Sequence, residues 1–322
     1  MRAMQVAAYG EPLRLVEAPE PEVGPGEVLV DVHRAGVNFP DLLLIQGLYQ
    51  ARPEPPFGPG FEVAGVVAAI GDGVDHVAVG DRVVAFVDHG GYAERVVAPA
   101  DSVTPIPDEV GFDEAAVLPI AYGTGYHALV DRARLAEGEV LLVLGASGGV
   151  GTAAVELGHL LGAVVVGVVG SERKVDAVRD KGADHVLVGY GDLRTRVREL
   201  TGGRGVDVLY DPVGGDPFDA ALRAMAWQGR MLVIGFTSGR IPDIPANRLL
   251  LNETAALGVF WGRFAREDPE ANRRNFATIL EWVAEGRLRP TVTEVLPLEE
   301  AAAALERLAS RRVVGKIVLA VR

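Results

Sequence analysis

Glycine recurs at positions 145, 148, 149 and 151 in the segment VLLVLGASGGVGTAAVELGHLLGA. The residues before these glycines are an apolar run of strand type, and those after them an Ala-rich run of helix type. At such a turn the missing side chains let a pyrophosphate approach the backbone, while the unpaired N–H groups and positive end of the helix stabilise the anion. Ser147, Gly148, Gly149 and Val150 form the centre of the turn. The spacing is G-x-x-G-G-x-G rather than strict G-x-G-x-x-G, and an ordinary glycine-rich turn is the alternative. The flanking strand and helix favour the phosphate reading.

The next apolar strand, AVVVGVVG, ends at Gly170. A protein selective for NAD sets an Asp or Glu near this point to bind the ribose 2′-hydroxyl. No acid stands at the strand end itself. Ser171, Glu172, Arg173 and Lys174 follow, offering a hydroxyl and two cations to a 2′-phosphate, and Tyr190 could cover the same region. This pattern points to NADPH over NADH. The alternative is that Arg173 and Lys174 are solvated first-turn residues and Glu172 is the ribose acid of an NAD site.

Other chemistry is narrowed by what the chain lacks. It has no cysteine, which excludes disulfides, thiolate catalysis and cysteine-ligated metals. Its six histidines show no metal-type spacing, and no metal is expected. Asp211 follows a strand and reads as a cap or a lining residue of the cofactor crevice. Glu62 lies in an apolar run, so burial and a paired cation or hydrogen-bond donors are expected for it.

A chain of 322 residues is longer than one core usually serves, so two domains are expected. Apolar residues make up 49% and aromatics only 6%, the excess being Val, Ala and Leu, which favours an α/β protein. From Met1 to about Val117, GEVLVDVHRAGV, FEVAGVVAAIG, DRVVAFVD and AERVVAPA read as short strands of a mainly antiparallel barrel. Pro40 to Gly60 starts as a helix and continues as a Pro-rich loop. From Asp113, helices alternate with strands at 140–144, 164–169, 185–188, 206–210 and 230–234, the pattern of a doubly wound parallel sheet. Ala255 to Phe260 would extend its edge. A helix over 269–285 and a strand over 315–321 end the chain. No apolar run approaches the roughly 18 residues of a transmembrane helix, and the N-terminus is too poor in apolar residues for a signal peptide, so a soluble cytoplasmic protein without a membrane partner is expected. The formal charge of −13 disfavours nucleic acid.

Several segments, in this order, carry a resemblance over nearly the whole length: AGVNFPDLLLIQGLY at 35–49, GPGFEVAGVV at 58–67, GDRVVAF at 80–86, GGYAER at 90–95, ASGGVG at 146–151 and VGKIVL at 314–319. The chain resembles the zinc-free quinone oxidoreductase (zeta-crystallin-like) branch of the medium-chain dehydrogenase/reductase superfamily. The resemblance implies a GroES-like substrate domain formed by residues 1–118 and 261–322. A Rossmann NADPH-binding domain over 119–260 would be inserted in it, with the active site in the cleft between them. Where zinc-dependent relatives have a catalytic Cys and His, this chain has Asn38 and Phe61, which moves the expected chemistry from alcohols toward quinones or activated C=C bonds.

Position by position, the resemblance implies Asn38 and the Tyr49 hydroxyl near the nicotinamide and substrate, and Thr124 at the carboxamide. It implies Ser147, Gly148, Gly149 and Val150 at the pyrophosphate, and Gly170, Lys174 and Tyr190 at the adenosine phosphate. Ile234, Gly235, Phe236 and Thr237, with Phe260, Trp261 and Gly262, would close over the nicotinamide. A family tyrosine is replaced by Leu43, which makes the pocket more apolar. The leading expectation is NADPH-dependent reduction of quinones by hydride or electron transfer, with Tyr49 in a binding role as much as a proton-donating one. Two other readings stay open: a reductase of α,β-unsaturated carbonyls or acyl thioesters, and a low-turnover NADPH-binding structural, sensor or RNA-binding protein. A homodimer, or a tetramer of two dimers, is expected through the 255–260 edge.

Overall fold

The computed structural model describes residues 1–322. Along the chain come β1 (Arg2–Gln5), β2 (Arg14–Glu17), β3 (Glu27–Val37), α1 (Phe39–Ile45), β4 (Glu62–Ile70), β5 (Arg82–Phe86), β6 (Arg95–Pro99), β7 (Val103–Pro105) and α2 (Phe112–Ala115). A helical stretch follows, with α3 (Thr124–Tyr126) between π-helical turns at Pro119–Gly123 and His127–Arg132. Next are β8 (Val140–Leu144), α4 (Gly149–Leu160), β9 (Val164–Val169), α5 (Val175–Arg179), β10 (His185–Val188), α6 (Leu193–Leu200), β11 (Val206–Asp211), α7 (Gly215–Leu222) and β12 (Met225–Val233). The chain closes with α8 (Ala246–Asn252), β13 (Ala255–Gly258), α9 (Trp261–Glu267), α10 (Pro269–Ala284), β14 (Val292–Pro297), α11 (Ala301–Ala309) and β15 (Lys316–Ala320). No helix is long and apolar enough to cross a membrane.

Two compact units result. The first comprises Met1–Gly123 with Gly262–Arg322, the second Thr124–Trp261. The first division falls after Gly123 rather than after 118, because Pro119–Gly123 packs on α10 and β5 and the Ile120 N–H donates to Glu62, all within the first unit.

In the first unit a seven-stranded sheet runs β14-β15-β3-β4-β5-β7, with β6 also paired to β3. All its pairs are antiparallel except β14 with β15. The 11-residue β3 is its spine: residues 27–31 pair with β6 and residues 34–37 with β15, so the last strand of the chain lies beside one of the first. Val28, Val30 and Val32 of β3, Val63 and Val67 of β4 and Ile317 and Leu319 of β15 share one core. Each such side chain, fully removed from water, contributes about 1.5–3 kcal/mol.

The second unit carries a six-stranded, wholly parallel sheet of order β10-β9-β8-β11-β12-β13. All five residues of β8, VLLVL, are buried, as a strand covered by helices on both faces requires. The order reverses direction between β8 and β11, so the crevice beyond their carboxyl ends is a topological switch point, where open α/β sheets bind ligands. β12 starts at Met225, five residues before the expected strand; its register on β11 shifts between Val206 and Val208, and Gln228 has φ of 58°. β13 ends at Gly258 and pairs only with β12, leaving an open edge.

Candidate active site

In the second unit the carboxyl ends of the strands carry most of the expected cofactor residues. β8 ends at Leu144 and turns through Gly145, which has φ of 60°, into α4. Gly148 is the N-cap of α4 and no side chain caps it, so the first N–H groups of a 12-residue helix are offered to a ligand. A β-carbon at Gly151 would stand 2.3 Å from the Gly145 carbonyl oxygen. Glycine at 151 is therefore what lets α4 begin hard against the turn. Ser147 is buried, and Gly148, Gly149 and Val150 are half-buried.

Strand register brings the next group alongside. Val169 of β9 pairs with Val188 of β10, and the Gly189 N–H donates to the Val169 carbonyl at 2.8 Å. Gly170 and Ser171 therefore lie beside Gly189 and Tyr190. Lys174 is half-buried, and desolvation first, then the charge of Arg173, lowers its pKa from the ordinary lysine value. An anion seated here would relieve both effects.

On the other side of the switch point, Asp211 ends β11 with no exposure. Its carboxylate accepts from the N–H groups of Val213 and Gly214, and its backbone carbonyl from those of Ile234 and Gly235. Thr237 and Ser238 donate to the carbonyls of Pro212 and Val213 at 3.1 and 2.9 Å. Asp211 thus caps its own turn, as expected, and helps hold the Ile234–Thr237 loop against it. Burial raises its pKa to about 6 against the pull of those N–H donors. Thr124 is half-buried, and Trp261 is buried while Phe260 is exposed at the end of this unit.

The first unit holds Asn38, Tyr49 and Gly262. Asn38 is the N-cap of α1, but its side chain does not cap the helix. Its Nδ2 donates to Glu62 Oε1 at 2.8 Å and to the Gly36 carbonyl at 3.3 Å, and its Oδ1 accepts from the Lys316 ammonium. The Lys316 Nζ also donates to Glu62 Oε1 at 2.8 Å and to the Val37 carbonyl at 3.1 Å. Glu62 is wholly buried, with its second oxygen on the Ile120 N–H. Both donors of the Asn38 amide are therefore engaged, and one acceptor site on Oδ1 is what the residue retains. An Asn38 that donates to a substrate carbonyl does not fit this arrangement.

Beneath it, Asp41 of α1 accepts from the Asn38 N–H at 2.8 Å and from the Tyr92 hydroxyl at 2.9 Å on Oδ2, and from the Gly60 N–H on Oδ1. Burial raises its pKa to about 7 against those donors and the Lys316 charge. Tyr49 lies on Phe61 edge to face, ring centroids 5.4 Å apart. Burial, then the Asp41 charge, raises its pKa above the usual phenol value, making it a still weaker acid. No three His, Cys, Asp or Glu side chains come together as metal ligands.

The residues that sequence reasoning missed are Asp41, Tyr92 and Lys316. Lys316 is one of three lysines in the chain and the only charge in the strand KIVLA, which was the available signal.

Two consequences of this buried network can be measured. Replacing Lys316 by Met strands the Glu62 carboxylate, so urea unfolding should show a loss of about 3–5 kcal/mol, and adding Glu62→Gln should recover at least half of it. A single variant as stable as the parent would contradict the ion pair. Asp41 has a folded pKa above its unfolded one. Its contribution to stability is full below about pH 4 and is lost as pH rises through about 7. The parent should therefore lose stability relative to Asp41→Asn between pH 5 and 8; parallel melting temperatures across that range would show that Asp41 ionises normally.

Comparison with known proteins adds the family. Residues 149–285 match the family described as zinc-binding dehydrogenase, and residues 24–108 match the alcohol dehydrogenase GroES-like domain. The bovine quinone oxidoreductase-like protein 2 is 38% identical over 323 residues, covering 100% of this chain and 93% of that protein. The rat quinone oxidoreductase is 34% identical, covering 99% and 97%. Among solved structures, a mycobacterial protein complexed with NADPH superposes with a TM-score of 0.94 at 34% identity. The Escherichia coli quinone oxidoreductase complexed with NADPH does so with 0.92 at 29%, and each covers 100% of both chains. The chain belongs to the medium-chain dehydrogenase/reductase superfamily and, within it, to the quinone oxidoreductase branch.

Proposed function

We propose that this protein is an NADPH-dependent reductase of quinones that works without zinc. The observation that carries the reading is the carboxyl edge of the parallel sheet, where a glycine-rich turn and an uncapped helix start adjoin the end of β9, which has no acid at Gly170 or Ser171 and is followed by an exposed Glu172 and a half-buried Lys174. The first feature suits a pyrophosphate and the second a 2′-phosphate. The NADPH named in the mycobacterial and E. coli complexes supports the same cofactor here.

When bound, NADPH supplies a hydride to the acceptor, and a quinone takes up a further proton from solvent to become the hydroquinone. The protein's part is mainly positioning. Ser147, Gly148, Gly149 and Val150 hold the pyrophosphate; Gly170, Ser171, Lys174 and Tyr190 hold the adenosine phosphate. Thr124, Ile234, Gly235, Phe236 and Thr237, with Phe260, Trp261 and Gly262, serve the nicotinamide. Asn38, with its donors engaged by Glu62 and Gly36, acts as an acceptor for a hydroxyl such as that of the nicotinamide ribose. Tyr49, half-buried and backed edge to face by the buried Phe61, offers an aromatic ring to a planar acceptor, and its raised pKa favours a binding role over proton donation. An acceptor that needs no enzyme-supplied proton, such as a quinone, suits this set. Neither an asparagine amide nor a phenylalanine is a zinc ligand, and Glu62 is already neutralised by Lys316, which supports a reaction without that metal.

The open edge of β13 supports a homodimer. Its outward N–H and C=O groups have no partner strand, and three of its four residues are exposed.

NADPH oxidation followed at 340 nm should proceed with 1,4-benzoquinone and 9,10-phenanthrenequinone, more slowly with NADH, and Lys174→Ala should raise the KM for NADPH by about tenfold, the effect of one lost charge-assisted phosphate contact. Turnover of 2-hexenal alone would replace the quinone reading by that of a double-bond reductase, and tight NADPH binding without turnover would favour a non-enzymatic role. Sedimentation equilibrium at micromolar concentration should give twice the chain mass of 34.0 kDa or a multiple of it; a monomer would refute the dimer.

A further inference from the structure

Tyr190 sits in a turn that little in the local chain would hold still. It is flanked by Gly189, with φ of 72°, and by Gly191, and Asp192 after them has φ of 50°. A β-carbon at either glycine would meet nothing within 4 Å. Glycine's freedom on both sides leaves the direction of the tyrosine undetermined by its own backbone. The turn also follows β10, the edge strand of the sheet, whose outward carbonyls have no partner strand. Such groups need another donor when they are not in water.

One side chain answers both needs. Arg196, on α6 and half-buried, directs a single guanidinium nitrogen, Nη1, at three carbonyls: Val188 at 3.0 Å, Gly189 at 3.2 Å and Gly191 at 3.4 Å. The three carbonyls bracket Tyr190 on both sides. A fourth bond, from the Gly189 N–H to the Val169 carbonyl at 2.8 Å, fixes the start of the turn against the strand that leads to Gly170 and Lys174. The helix that bears Arg196 is itself anchored, with Leu193 and Val197 buried in the core of the same unit. The cation is therefore on a rigid support, and its three acceptors fix the backbone on either side of Tyr190, whose ring packs against the core of the same unit.

We propose that Arg196 is a positioning residue for the adenosine-phosphate end of NADPH: by holding the carbonyls of residues 188, 189 and 191 it presents Tyr190 beside Gly170 and Lys174. The proposal rests on the reading that these residues receive the 2′-phosphate. Arg196 acts through the shape of the turn and not by touching the phosphate. A preorganised turn lowers the ordering cost of binding, and the gain appears in affinity for the ligand that uses the turn.

The test is cofactor binding, measured by calorimetric titration of the whole protein with NADPH and with NADH, and needs no turnover. Arg196→Met should raise the Kd for NADPH by about fivefold and leave that for NADH within about twofold, the size expected when one ordered side chain loses its support. Arg196→Lys, which keeps a cation on a shorter stem, should give an intermediate value. In a Tyr190→Ala background, Arg196→Met should add less than about twofold, because its effect passes through the tyrosine. Equal losses for both cofactors, or full additivity with Tyr190→Ala, would reduce Arg196 to a general structural contact and overturn the proposal. Lys174→Ala separates the two levels. If it leaves NADPH affinity unchanged, the 2′-phosphate reading falls and the role of Arg196 falls with it; if it weakens NADPH selectively while Arg196→Met does not, only the proposal fails.

Discussion

The buried ammonium of Lys316 ties the last strand of the chain to two earlier places, residues 37–38 and Glu62. It reaches the end of β3 through the Val37 carbonyl, the start of α1 through Asn38 and the start of β4 through Glu62. A charge taken out of water must be matched by partners, or it costs several kcal/mol. Here the carboxylate that neutralises it accepts further bonds from Asn38 and from the Ile120 N–H. The pairing of β15 with β3 sets where Lys316 falls, and the ammonium in turn sets which way the Asn38 amide faces. Packing of the discontinuous unit and the chemistry left to Asn38 follow from the same contacts. A site built this way is fixed by long-range closure of the chain and not by any local motif.

The parallel sheet works by another rule. Its strands all deliver their carboxyl ends to one edge, and each end then turns into a helix or loop that offers backbone N–H groups or small residues. Asp211 sits at the switch point and uses its carboxylate to secure its own turn, while its backbone carbonyl secures the next loop. Arg196 serves the far edge in a comparable way. In both cases a charged side chain satisfies backbone groups that no neighbouring strand can reach, and the loops beyond are held in shape as a consequence.

What could be read in the sequence depended on the range of the interaction. The Val-rich strands of the parallel sheet are bounded by glycines, and those of 140–144 and 164–169 are buried but for Val164, so their apolar runs show directly; these two and the half-buried strand of 185–188 have the expected bounds in the structure. β14 alternates half-buried and exposed residues and gives no apolar run, so it was not among the expected strands. β1 and β2, four residues each, are too short to show a pattern. The burial of Glu62 and its need for a cation or hydrogen-bond donors were legible from its apolar neighbours, but the cation that meets it, 254 residues away, was not. Nor was the engagement of both Asn38 donors, which depends on Glu62 and the Gly36 carbonyl, and with it on three-dimensional closure. The glycine turn after β8 was legible because its chemistry is local.

On the proposed function, the loops at the carboxyl edge of the parallel sheet receive NADPH. Hydrogen exchange with and without saturating NADPH tests it most directly, since a ligand that orders a loop slows its amides. Slowing at residues 145–151, 170–174, 189–191 and 234–237, with 124 and 260–262 following, is the predicted result. Protection elsewhere with those four segments unchanged, or no protection at concentrations that saturate binding, would mean that these loops do not receive the cofactor.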